Sequence, residues 1–216
     1  MNARRRQNTP ARPYLVAIGS SADGLSALRT LLRGLPASFP APVLIVQHRT
    51  TTGRSMLAKL LARHSAVLVR EASAGEVIRA GTAYVAPPGV HLVVNDGRVQ
   101  LEQSPKVQFT RPSIDVLFES VARIYGARAI GVLLSGFGRD GARGLQAIKA
   151  RGGTTVVQAP EDARYPYLAQ AAIAADGIDL TLPLVEIGPA LMRLVSADDG
   201  GGSAQPAIGA GSSIRI

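Results

Sequence analysis

Three residue types that together support acyl transfer follow three apolar segments of this chain. Ser21 comes after YLVAI, His48 after VLIVQ and Asp140 after AIGVLLSG. In nucleophilic catalysis a serine hydroxyl attacks a carbonyl carbon, a histidine accepts its proton and a carboxylate orients the histidine. The three residues therefore predict such chemistry if the segments before them end at one edge of a sheet.

The segments that must position these residues alternate with helix patterns. YLVAI, VLIVQ and AIGVLLSG are near-continuous apolar runs, which are typical of strands buried on both faces, and the last should be central. After the first run, leucines recur at helical spacing (Leu25, Leu28, Leu32 and Leu35). The alternation predicts a three-layer, doubly wound α/β domain with a mostly parallel sheet, whose ligands bind at the carboxyl ends of the strands.

Residues 83–103 depart from this alternation. They contain TAYVAPP, HLVVNDG and RVQLEQ, in which Asn95-Asp96-Gly97 is a typical hairpin turn. We therefore expect a small antiparallel addition over this stretch. His91 begins one of its strands, and we expect it at the surface.

Two serines stand at the first strand–helix corner, and the glycine pattern favours the second. Ser21 has Gly19 two residues before it, the G-x-S part of a nucleophile elbow, whereas Ser20 has Ile18 in that place. Such a corner also directs helix N–H groups toward an oxyanion. Helix capping is the alternative role for either serine, and for Asp140 in front of the helix that follows it.

Composition argues against several other classes of site. The chain has no cysteine and only three histidines, so a thiolate or histidine-rich metal centre is not expected. No apolar run approaches the roughly 20 residues that span a bilayer. Neither G-x-G-x-x-G nor a Gly-Lys-Ser/Thr loop occurs at the first corner. We expect no cofactor, no membrane insertion and a cytoplasmic location.

The net charge of +9 is explained by solubility and a disordered basic arm, or it indicates an acidic partner, either nucleic acid or a glutamate-rich protein surface. Aromatic residues are only 4% of the chain, which argues against stacking on nucleic-acid bases. We expect a flexible basic arm at residues 1–12, one folded domain at 13–197 and a flexible Gly/Ser-rich tail at 198–216.

Five segments, in order, resemble the catalytic domain of the chemotaxis receptor methylesterases of the CheB type. They are AIGSSADG (17–24), VQH (46–48), VAPPGVHL (85–92), RPSIDVLF (111–118) and LLSGFGRDGARGL (133–145). The resemblance implies Ser21 as nucleophile, His48 as base and Asp140 as the acid that orients His48. It also implies an oxyanion hole from the backbone N–H groups of Ala22 and Phe137, where the family usually has methionine.

The resemblance further implies a substrate. The family hydrolyses glutamate γ-methyl esters on the cytoplasmic helices of methyl-accepting chemotaxis receptors, releases methanol without a cofactor, and in many members deamidates receptor glutamines. Such helices are rich in glutamate, which suits the basic charge better than nucleic acid does. Family members usually carry a receiver domain ahead of the catalytic domain. Because twelve residues cannot form one, we expect a stand-alone catalytic domain with a separate response-regulator or kinase partner.

Two departures from the family pattern bear on activity. Asp23 replaces a glycine, and we expect it in the first helical turn, facing the oxyanion. At about 6 Å and an effective dielectric near 20, repulsion of roughly 2–3 kcal/mol would slow turnover about ten- to a hundredfold. YPYLAQAAI (165–173) replaces a segment with a Met-Pro pair. Asp23 and Gly138 are thus candidate modulators, and an attenuated or inactive relative that binds receptor or signalling-protein helices is the alternative.

Overall fold

Strands and helices alternate through residues 13–49 and 56–196, the part of the chain that the computed structural model describes. The strands are β1 (Leu15–Ser20), β2 (Val43–Gln47), β3 (Leu68–Glu71), β4 (Thr82–Val85), β5 (His91–Asn95), β6 (Arg98–Glu102), β7 (Ala129–Leu133), β8 (Thr154–Gln158) and β9 (Leu180–Leu182). The helices are α1 (Gly24–Arg33), α2 (Leu57–Ala62), α3 (Ile114–Tyr125), α4 (Ala142–Ala150), α5 (Tyr167–Ala174) and α6 (Leu184–Ser196). The expected arm and tail lie outside the described residues.

Seven strands form one parallel sheet in the order β3-β4-β2-β1-β7-β8-β9. This confirms the doubly wound α/β architecture, although β1 is central and β7 is its neighbour. Ser20 pairs with Gln47 of β2, and Gly19 pairs with Leu133 of β7, so the three strands end nearly level. The strand order reverses between β1 and β7, which is where ligands bind in open sheets of this type.

Each face of the sheet is covered by its own apolar core. Leu15 and Ala17 of β1 pack in the cluster under α3, α4 and α5, while Val16 and Ile18 pack in the cluster under α1, α2 and α6. Both faces of β1 are therefore dry, because successive side chains of a strand point to opposite faces. None of the described helices combines the length and the apolar character required to cross a bilayer.

The antiparallel addition is smaller than expected. β5 and β6 pair through the Asn95-Asp96-Gly97 turn, as predicted. TAYV, however, forms β4, which lies fully buried and parallel between β2 and β3. The surface position expected for His91 is wrong, because α3 covers this face of the hairpin and buries the side chain completely. The three-residue edge strand β9 was too short to be predicted.

Candidate active site

The carboxyl ends of β1, β2 and β7 surround a cavity of about 730 Å³. Its wall contains Ser21 and Ala22 from the corner after β1, His48 from the end of β2, and Phe137 from the loop after β7. Segments more than 80 residues apart in the chain thus meet where the order of the strands reverses. This is the position at which the sequence predicts the chemistry.

The two serines of the first corner differ in exposure. Ser20 ends β1 and is fully buried, and its Oγ has no hydrogen-bond partner among the described residues. Ser21 is partly exposed in the cavity wall, and its N–H donates to the Ser135 carbonyl at 3.0 Å. A Cβ on Gly136 would lie 2.4 Å from the Cβ of Ser21, so glycine is needed beside this corner. Only Ser21 is therefore placed to meet a ligand in the cavity.

His48 and Asp140 are in direct contact. His48 Nε2 lies 2.8 Å from Asp140 Oδ2, across 92 residues of chain. When Nε2 donates to the carboxylate, Nδ1 is the ring nitrogen that is left to accept a proton from a hydroxyl. Among the described residues no hydrogen bond joins His48 to Ser21. Catalytic hydrogen bonds of this kind are often long until substrate is bound.

The Asp140 carboxylate is buried and accepts several hydrogen bonds from protein groups. Besides His48, its donors are the N–H groups of Ile114 and Asp115 and the hydroxyls of Thr110 and Ser113, each at 2.8–2.9 Å. Burial alone would raise the pKa of Asp140, but the hydrogen bond from His48 and those from the two N–H groups outweigh it and lower the pKa. Asp140 is therefore ionised at neutral pH. It precedes α4 in the chain, but it accepts from the first N–H groups of α3 and does not cap α4.

A second aspartate, which the sequence did not single out, forms the reciprocal contact. Asp115 is fully buried in the first turn of α3, and its Oδ1 accepts from the N–H groups of Gly141 and Gly144, at 2.8 Å each. Burial raises the pKa of Asp115, and the Gly144 N–H opposes this effect. Asp140 thus satisfies the start of α3 while Asp115 satisfies the start of α4. In the sequence Asp115 resembled an ordinary first-turn acid.

His91 forms a hydrogen bond with Ser113, the residue that caps the start of α3. Its Nδ1 accepts from the Ser113 N–H at 3.1 Å, and its Nε2 lies 3.1 Å from the Pro105 carbonyl. An N–H donor at Nδ1 requires a lone pair there, so the ring is neutral with its proton on Nε2. Periodicity could not reveal this role, because it depends on a contact between β5 and α3.

Two backbone N–H groups beside Ser21 have no hydrogen-bond partner among the described residues. Ala22 and Phe137 both line the cavity beside Ser21. Within residues 13–49 and 56–196, neither N–H donates a hydrogen bond to another protein atom. Free donors near a candidate nucleophile are what the binding of a tetrahedral intermediate requires.

The candidate modulators line two different cavities, both of which include His48. Asp23 is the N-cap residue of α1, not part of its first turn as expected, and its φ of 61° is left-handed. Its side chain is exposed and lines the main cavity. The left-handed φ explains why glycine suits this position. Gly138, with φ of 91°, lines an adjacent cavity of about 500 Å³. No cluster of metal-ligating side chains occurs in the described part of the chain.

Comparison with known proteins gives one consistent family. The model of the family described as "CheB methylesterase" matches residues 16–191. The chain is 45% identical over 193 residues to protein-glutamate methylesterase/protein-glutamine glutaminase 2 of Anaeromyxobacter dehalogenans (strain 2CP-C), which covers 88% of this chain and 57% of that protein. It is 40% identical over 192 residues to the protein-glutamate methylesterase FrzG of Myxococcus xanthus, with 88% and 58% covered.

A solved structure shows the same fold. The crystal structure of the Thermotoga maritima CheB methylesterase catalytic domain superposes with a TM-score of 0.82 at 33% sequence identity. The match covers 85% of this chain and 99% of that one. The chain therefore spans little more than half of the curated relatives named above, but nearly all of a solved catalytic domain.

Proposed function

The chain belongs to the CheB methylesterase family, and from this premise we propose that it is a serine esterase that hydrolyses glutamate γ-methyl esters on chemoreceptor signalling helices. The observation that carries the proposal is the contact of 2.8 Å between His48 and Asp140 in the wall of the cavity that contains Ser21. An imidazole held by a buried carboxylate beside an accessible serine is the arrangement that activates a hydroxyl.

The reaction proceeds through an acyl-enzyme. Ser21 Oγ attacks the ester carbonyl carbon while His48 Nδ1 takes the hydroxyl proton. The oxyanion is stabilised by the N–H groups of Ala22 and Phe137. The tetrahedral intermediate collapses, the bond to the methoxy group breaks, and His48 returns the proton so that methanol leaves. Water then attacks the acyl carbon with His48 again as base, which frees the glutamate and restores the serine.

Asp140 acts through His48. Its lowered pKa keeps the carboxylate charged, so it holds Nε2–H toward itself and leaves Nδ1 as the nitrogen that accepts the proton. It also stabilises the imidazolium that forms when Ser21 loses its proton. The donors from the start of α3 hold the carboxylate in place during this step.

The partners and location follow from the same proposal. The substrate is a glutamate-rich receptor helix in the cytoplasm, and a response regulator or kinase controls access to it. With glutamine as substrate, the same steps release ammonia in place of methanol. The name of the Anaeromyxobacter dehalogenans relative gives both activities, methylesterase and glutaminase, for that protein.

Methanol release from methylated receptor cytoplasmic fragments tests the proposal. The wild-type chain should release methanol, and Ser21→Ala should reduce the rate at least about a thousandfold while it remains folded. Ser20→Ala is the matched control, because this hydroxyl is buried and outside the cavity. Equal rates in the wild type and Ser21→Ala would overturn the proposal.

A further inference from the structure

The turn at residues 107–110 holds an exposed aromatic ring in a strained conformation. Val107 and Thr110 pair across the turn, and the two residues between them, Gln108 and Phe109, have φ of 48° and 66°. Side chains other than glycine and asparagine rarely adopt this left-handed region, because the Cβ crowds the backbone. The Phe109 side chain is 96% exposed. No packing of the ring against the protein therefore offsets the strain.

The turn is fixed to both buried carboxylates of the site. Gln108 Nε2 donates to Asp115 at 2.7 Å, and the Thr110 hydroxyl donates to Asp140 at 2.9 Å. The surrounding structure thus imposes the conformation that projects Phe109. Strain that is imposed in this way, at a ring exposed to water, points to a contact made with a ligand.

A second exposed ring faces the same space. Phe137 is 53% exposed and is supported from behind by Tyr165 and Tyr167, with ring centroids at 4.7 and 5.1 Å. Phe109 and Phe137 line both the main cavity and the adjacent one, as His48 does. The two cavities are therefore parts of one groove, and the two rings flank it at the catalytic histidine.

Each of the two cavities is lined by basic side chains that the other cavity does not share. Its basic lining residues are Arg49, Lys106 and Arg111 in the main cavity and Arg139 and Arg143 in the adjacent one. The acidic lining residues are Asp23 and Asp140, of which Asp140 is engaged by His48. Lys106 and Arg139 have no ion-pair partner in the described part of the chain. An acidic ligand would complement this surface.

On the basis of the proposed function, we propose that Phe109 and Phe137 grip the apolar stripe of one acidic amphipathic helix, and that Lys106 and Arg139 bind its carboxylates on either side. Apolar rings shared by two cavities, each with its own cationic side chains, match a helix that carries an apolar face bordered by glutamates. The helix lies along the groove, and its target glutamate is presented to Ser21. Phe109 thus selects receptor helices and not merely methyl esters.

Binding to a chain that cannot turn over tests this docking surface. A fluorescent, glutamate-rich receptor cytoplasmic fragment is titrated with Ser21→Ala, and then with the same chain that also carries Phe109→Ala. The loss of a buried ring contact should weaken binding about tenfold. Leu68→Ala is the matched control, because Leu68 is 61% exposed but begins β3, at the far edge of the sheet. It should leave the dissociation constant unchanged.

Two further variants separate docking from damage to the fold. Phe109→Gly relieves the left-handed φ, so it should raise the unfolding temperature while it weakens binding. Lys106→Glu with Arg139→Glu should weaken binding about tenfold at low salt, whereas Arg33→Glu, at the opposite end of α1, should not.

The outcomes distinguish this inference from the proposed function. If the fragment binds but the wild type releases no methanol, the esterase proposal fails while the docking surface is still measured. If methanol is released but Phe109→Ala binds as tightly as Leu68→Ala, the docking surface is overturned. Absence of any binding by the Ser21→Ala chain would overturn it as well.

Discussion

Ser20 and Ser21 lie in different environments, one buried and one in the cavity wall, because β1 ends between them. Ser20 is the last residue of β1 and points under α1, where a Cβ on Gly24 would come within 2.7 Å of its hydroxyl. Ser21 leaves the ladder and enters the cavity wall. The G-x-S pattern identifies the accessible serine because Gly19 lets β1 approach α3 closely just before the chain turns.

The charge of Asp23 should slow the reaction only slightly. The side chain is exposed, so the dielectric around it is close to that of water, and the repulsion of an oxyanion at about 6 Å corresponds to about threefold in rate. This slowing is smaller than the one predicted from the sequence, because Asp23 is exposed and precedes the first turn of α1. Asp23→Asn and Asp23→Gly should both raise the turnover number about threefold in the methanol assay. Equal rates in all three chains would mean that solvent screens the charge completely.

At the scale of elements, α3 and α4 exchange carboxylates at their first turns. Asp140 precedes α4 but accepts from the N–H groups of α3, and Asp115 lies in α3 but accepts from those of α4. Each carboxylate is stabilised by the positive end of the partner helix. Asp140, the proposed partner of His48 in catalysis, is therefore also a structural link, so that the geometry of His48 depends on how the two helices pack.

The hydrogen bonds that Asp140 accepts from α3 should make the free energy of unfolding decrease at acidic pH. The pKa of Asp140 is lower in the folded protein than the ordinary value of about 3.9, so its carboxylate stabilises the fold above that pH. The contribution is lost as the pH falls through the folded pKa. At pH 7, Asp140→Asn should lower the free energy of unfolding by about 2–4 kcal/mol, and the difference should shrink at pH 3.

Urea unfolding at the two pH values measures this difference. Glu119→Gln is the control, because Glu119 also pairs with a basic side chain, Arg143, but is 41% exposed. Its effect should stay below about 1 kcal/mol at both pH values. If Asp140→Asn lowers the free energy of unfolding by the same amount at pH 3 and at pH 7, the charge of Asp140 does not stabilise the fold.

The elements that could be predicted were those with strong local patterns. The apolar runs of β1, β2 and β7, and the Asn95-Asp96-Gly97 turn, were sufficient for the sheet and the hairpin. β4 was assigned to the hairpin because it lies close to β5 in the chain, and the local pattern does not show its parallel pairing with β2 and β3. Thr110, Asp115 and His91 were missed because their roles arise only when α3, α4 and β5 are brought together.

At the scale of the whole molecule, topology and charge act together. The reversal of strand order places the cavity at the middle of the carboxyl edge, where three loops with functional side chains meet. The net charge of +9, with five basic residues among the described residues of the groove wall, should attract acidic ligands to this edge. Charge thus favours encounter with a glutamate-rich helix, while the local contacts decide which bond is broken.

Encounter with the receptor should therefore depend on salt. Between 50 and 500 mM NaCl, kcat/KM for a methylated, glutamate-rich receptor fragment should fall about tenfold, because the screening length shortens several-fold. The same measurement with a neutral glutamate methyl ester blocked at both ends is the control and should change less than twofold. A receptor reaction that is insensitive to salt would contradict electrostatic attraction by the basic groove.

The central claim is that Ser21 is a nucleophile activated by His48 and Asp140, and covalent labelling by a fluorophosphonate probe tests it most directly. Intact-mass analysis should show one adduct on the wild type and on Ser20→Ala, and none on Ser21→Ala. Fragmentation should place the adduct on Ser21. Labelling that persists in Ser21→Ala, or a wild-type chain that is never labelled, would contradict the account and favour a binding module that uses the same groove.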